Sequence, residues 1–73
     1  MQWERIETGL YVLINCHFDI EIEISECNRV WFVWIDGTKT AQEFHTFKQA
    51  KNFVAAVLEA AEGIARTKFY KNP

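Results

Sequence analysis

The sequence predicts an α+β domain: an antiparallel β-sheet of three to four strands packed on one C-terminal α-helix. Three observations carry that prediction. Residues Phe18 to Ser25 switch between apolar and polar at every position, which is the period of a half-buried strand. Asp36-Gly37 separates two strand-like runs. A two-residue hairpin loop needs positive φ at both central positions, and Asp followed by Gly tolerates it. From Phe47 onward, apolar residues recur at three- and four-residue steps, forming the stripe of a helix laid on a surface.

Each element can be justified in turn. Whether Trp3 to Ile6 forms a short strand, with Thr8-Gly9 as its turn, is left open by its residues. Leu10 to Ile14 is rich in β-formers and reads as a strand. Asn15-Cys16-His17 turns the chain into the alternating strand 18–25, and Cys27-Asn28 supplies the next loop. Val30 to Ile35 is apolar on both faces, and Thr38 to Phe44 is the last strand. Thr46 caps the helix, with Gln49 three residues later completing a capping box. Phe47, Ala50, Phe53, Val54, Val57, Ala61 and Ile64 make the apolar stripe. Lys48, Lys51, Asn52, Glu59 and Glu62 lie largely away from it. Gly63 is expected to weaken or end the helix, with Ile64 and Ala65 able to carry it one more turn. The basic, aromatic tail from Arg66 to Lys71 reads as a frayed end.

Two-residue loops at Cys27-Asn28 and Asp36-Gly37 place Ile24 opposite Trp31 and Ile35 opposite Thr38. One face then carries Ile20, Ile22, Ile24, Trp31, Val33, Ile35 and Phe44, and the helix should cover it. The other face carries Asp19, Glu21, Glu23 and Ser25, then Val30, Phe32 and Trp34, then Lys39, Ala41, Glu43 and His45. One helix covers one side of a sheet, so this second face lacks a partner within the chain. Aromatic anchors inside a charged rim are the make-up of a binding hot spot. The candidate partner-binding residues are Asp19, Glu21, Glu23, Phe32, Trp34 and Lys39. The structural alternative has Lys39 laying its stem over Trp34, with the N-terminal segment or the tail over Phe32. Side chains two apart on a strand are about 6.6–6.8 Å apart. The row Asp19, Glu21, Glu23 therefore also has the spacing to imitate a short run of phosphates for a basic groove.

Composition bounds the function. The chain has 73 residues, 49% of them apolar and 15% aromatic. That is one domain, 1–73, with a real core and modest stability on its own. Net charge is −2, unevenly spread: −5 over residues 1–36 and +3 over residues 37–73. Neither half is basic enough for an obvious nucleic-acid domain. There is no membrane-length apolar run. Met1-Gln2-Trp3-Glu4-Arg5 has neither the basic start nor the apolar core of a signal peptide, so a cytoplasmic protein with reduced cysteines is expected. Cys16, His17, Cys27 and His45 match no zinc spacing. By strand rise, Cys16 and Cys27 sit about 35 Å apart, which excludes an internal disulfide. No nucleophile–base pair or phosphate loop is present, so no catalytic residue, metal or cofactor is assigned, and the chain is not expected to be an enzyme.

Trp31-x-x-Trp34, then Asp36-Gly37, then Phe44-x-Thr46-x-x-x-Ala50-Lys51 resembles the AP2-type and integrase arm-type DNA-binding domains over roughly half the chain. That resemblance implies three antiparallel strands followed by one helix, with the open sheet face in the DNA major groove. Here the corresponding face carries Glu21, Glu23, Phe32 and Trp34, with Lys39 as its one assigned cation. Phosphate contacts supply most non-specific affinity for DNA, so this face disfavours nucleic acid. In format, the chain is also similar to many short phage and prophage proteins, including anti-CRISPR proteins, which bind and block host machinery. The expected function is therefore a small cytosolic interaction module that binds a host protein through the open face. A homodimer is a further possibility. The alternative is a nucleic-acid-binding accessory domain using Lys39, Lys48, Lys51 and the tail.

Overall fold

The computed structural model describes residues 2–14 and 20–70, with side chains described up to residue 62. Five strands come first: β1 (Gln2–Glu7), β2 (Leu10–Ile14), β3 (Ile22–Cys27), β4 (Val30–Ile35) and β5 (Thr38–Phe44). The helix α1 (Phe47–Tyr70) follows. The strands form one antiparallel meander in the order β1-β2-β3-β4-β5. The α+β class is as expected, but the sheet has five strands rather than three or four. The extra strand is β1, whose segment the sequence left open. It is held by pairing with β2 from Gln2↔Ile14 to Glu7↔Leu10, not by burial of its own side chains. Its residues are exposed except for Trp3. Ile6 is an extra residue between the Arg5↔Tyr11 and Glu7↔Leu10 pairs, and it stands 54% exposed.

The Asp36-Gly37 turn is as expected, with φ of 50° and 79°. The β3–β4 turn is displaced by one residue. It is Asn28-Arg29, with φ of 53° and 65°, rather than Cys27-Asn28. Asn tolerates the left-handed region far better than Cys does, so the loop settles with Asn in its first central position. Glu26 Oε2 accepts the Arg29 amide at 2.9 Å and holds the second position. The register therefore moves by two: Ile24 pairs with Val33 and Ile22 with Ile35. Side chains alternate with period two, so a two-residue slip leaves every residue on its expected face. Strand β3 runs from Ile22 to Cys27, so Ile20 and Glu21 of the expected strand 18–25 lie before it, and Phe18 and Asp19 lie outside the described residues.

Between Trp34↔Lys39 and Phe32↔Glu43, β4 contributes one residue and β5 contributes three. This irregularity places Phe44 opposite Trp31, where an unbroken ladder from Ile35↔Thr38 would place Gln42. It also leaves Thr40 Oγ1 buried and without a hydrogen-bond partner. An unpaired buried hydroxyl costs about 1–3 kcal/mol, so Thr40→Val should raise stability by about 1 kcal/mol in a urea titration. A loss of stability would mean that the hydroxyl is paired.

Ile22, Ile24 and Val33 of the sheet meet Ala50 and Val54 of α1 in the fully buried core. Trp3, Leu13, Ile20, Trp31, Ile35, Phe44, Phe47, Phe53 and Leu58 pack around it. The cap forms as expected, with the Gln49 amide donating to Thr46 Oγ1 at 3.1 Å. The reciprocal bond lands one residue earlier than a capping box, with the His45 amide donating to Gln49 Oε1 at 3.0 Å. On α1 the contact line steps by four, through Ala50, Val54 and Leu58. At 3.6 residues per turn this puts Leu58 over the core and leaves Val57 half-buried at the margin. The helix also does not end at Gly63. It continues to Tyr70, because one interior glycine costs only about 1 kcal/mol relative to alanine. A 24-residue helix is about 36 Å long, against about 20 Å for the strands, so α1 outruns the sheet it packs on.

Candidate partner-binding face

The register assembles the face opposite α1 from cross-strand rows. One row runs Glu4, Val12, Glu23, Trp34, Lys39 from β1 to β5. The next runs Leu10, Ser25, Phe32, Glu43 from β2 to β5. Among the described residues, α1 packs on the other side, through β3, β4 and β5, and no element packs on this one.

Two diagonal contacts fix the aromatic rings. The Trp34 indole Nε1–H donates to Ser25 Oγ at 2.8 Å, across the β3–β4 pair. Lys39 Nζ stands 4.8 Å from the centroid of the Phe32 ring. The Lys39 ammonium therefore covers Phe32, while its backbone pairs directly with Trp34, and a cation over a ring face is attracted by the ring quadrupole. Both aromatics are half-buried rather than fully exposed. Row neighbours at strand spacing shield their flanks.

Of the expected site residues, the structure brings together Glu23, Phe32, Trp34 and Lys39. Glu21 lies just before β3 and is exposed. It is clamped to the β4–β5 turn, its amide donating to Asp36 Oδ1 at 2.9 Å and its carbonyl accepting the Asp36 amide at 2.8 Å. Asp19 lies outside the described residues, so of the acidic row only Glu23 lies within β3.

Sequence reasoning placed Glu43 on this face but missed Leu10, Val12 and Glu4 as members of it. Leu10 to Ile14 is apolar at every position, so no alternation marks which residues share a face, and placing them needed the β2–β3 pairing, which covers three residue pairs. Beyond Val12 the two strands part. A recess of about 200 Å³ opens there, lined by Val12, Leu13, Ile20, Glu21, Ile22 and Glu23.

Charge on the face is lopsided. Glu4, Glu23 and Glu43 stand in the two rows against the single cation Lys39. Among the described residues none of these three carboxylates has an ion-pair partner. The lysines the nucleic-acid alternative relies on do not converge. Lys39 is on the open face, whereas Lys48 and Lys51 are on α1, with Lys51 Nζ 4.8 Å from the Phe47 ring on the opposite side of the sheet. Cys27 is a free, exposed thiol, and Cys16 lies outside the described residues. No helix among the described residues is long and apolar enough to cross a membrane. Compared with known proteins, the chain matches no family model, no curated protein and no solved structure.

Proposed function

We propose that this protein is a small interaction module that binds another protein through the open sheet face. The observation that carries this reading is the pairing of Phe32 and Trp34 on a face that no described element covers. A short chain with a small core gains by burying such a patch against a second surface. The carboxylates around the pair argue against nucleic acid, because phosphates would meet Glu23 and Glu43 rather than cations. In format, the chain is similar to short phage and prophage proteins that bind and block host machinery. We therefore place the partner in host machinery in the cytoplasm and assign no catalysis.

The test compares wild type with Trp34→Ser in affinity capture from host lysate, with captured proteins identified and nuclease-treated samples run beside them. Trp34→Ser loses one hydrogen bond and a half-buried indole, so it should stay folded, with stability reduced by about 1–2 kcal/mol. Capture of the specific partner should fall by about tenfold, as for a truncated hot-spot aromatic. Equal capture by the folded variant would place the site elsewhere. Capture that nuclease abolishes would favour the nucleic-acid alternative.

A further inference from the structure

We propose that the occupant of this face is an arginine-bearing, basic protein segment, with a guanidinium set against the Trp34 indole and paired to Glu23. This rests on the open face being the partner site. Glu23 and Trp34 are direct cross-strand partners, so their Cβ atoms lie about 4.5–5.5 Å apart. One planar cation can therefore meet the ring and the carboxylate together. The chain already shows half of this arrangement, because Lys39 places its ammonium over Phe32 in the adjacent row. Among the described residues, Phe32 is thus supplied with a cation, whereas the Trp34 ring is not. The indole N–H is held by Ser25, which makes the ring a fixed platform rather than a mobile one.

Charge selects the sign of the partner. Glu4, Glu23 and Glu43 are without ion-pair partners among the described residues, and Lys39 alone opposes them. An isologous dimer through this face would bring two acidic surfaces together, and like charges across an interface cost several kcal/mol. Arginine suits the site better than lysine. Its planar guanidinium stacks on an aromatic face while its fork pairs with a carboxylate.

The experiment titrates the intact, nitrogen-15-labelled protein with an octapeptide of alternating Arg and Thr. A Lys-Thr octapeptide and a Glu-Thr octapeptide are run in parallel. The arginine peptide should shift the Trp34 indole resonance and the amides of Glu23 and Glu43, leaving the indoles of Trp3 and Trp31 in place. The lysine peptide should bind more weakly, and the acidic peptide should not bind. Glu23→Gln, which keeps shape and removes charge, should weaken the arginine peptide by about fivefold. Raising salt from about 50 mM to about 500 mM should weaken it further, because the Debye length falls to a few ångströms.

Equal shifts from the acidic peptide, or shifts that avoid Trp34, would overturn the basic-segment assignment. They would leave the lysate comparison of wild type and Trp34→Ser to judge the face itself. A dimer in sedimentation that Trp34→Ser abolishes would also overturn it, giving the face to a second copy of the chain.

Discussion

Ile24→Ala should destabilise the domain by about 3 kcal/mol, the usual cost of deleting most of a buried isoleucine. Ile24 is 0% exposed and sits at the centre of the sheet, paired with Tyr11 on one side and Val33 on the other. Its face meets Ala50 and Val54 of α1. A domain of this size has roughly 4–11 kcal/mol of total stability, so one such cavity removes a large share of it. Thermal unfolding followed by circular dichroism should show a midpoint lowered by roughly 12–24 °C. Val57→Ala is the matching control on the helix. Val57 is half-buried at the edge of the contact line, and its truncation should cost about 1 kcal/mol or less. Similar losses from the two changes would mean that α1 is rotated from the Ala50–Val54–Leu58 line.

Phe47→Ala should cost about 3 kcal/mol, and the loss should fall unevenly over the sheet. Phe47 opens α1 and stacks on Tyr11 with ring centroids 4.1 Å apart. It also lies 5.3 Å from Trp31 and 6.2 Å from Trp3, centroid to centroid. Aromatic pairs at these separations add about 0.5–1.5 kcal/mol each beyond area burial. The rest of α1 packs on β3, β4 and β5, so Phe47 is the main tie between the helix and the β1–β2 hairpin. That hairpin is joined to β3 by only three residue pairs, against six between β3 and β4. Native-state hydrogen exchange should therefore show Tyr11 and Val12 losing more protection than Ile24 and Val33. Phe47→Leu should restore part of the difference. Uniform loss across the sheet would show that the hairpin is held by something other than this ring.

Local chemistry determined much of this protein before any packing was known. The alternation of Ile22, Glu23, Ile24 and Ser25 assigns the faces of β3, and Asp36-Gly37 sets the β4–β5 turn because few residues accept positive φ twice. Thr46 and Gln49 start the helix through bonds made within a few residues. These signals are short-range, so they survive an error elsewhere. The β3–β4 register moved by two, and the open face still held Glu23, Phe32, Trp34 and Lys39, because a pleat repeats every two residues.

What the tertiary structure decided is what depends on distant partners. Strand β1 exists because β2 offers it a ladder, and its own exposed side chains gave no pattern to read. Leu58 rather than Val57 meets the core because the sheet, not the stripe alone, chooses the line of contact on α1. The helix passes Gly63 because a single propensity penalty is smaller than the hydrogen bonds on either side of it. The rows that set Glu4 and Val12 beside Glu23 and Trp34 came from strand order. Strand order is fixed by pairing between segments whose sequences do not specify one another.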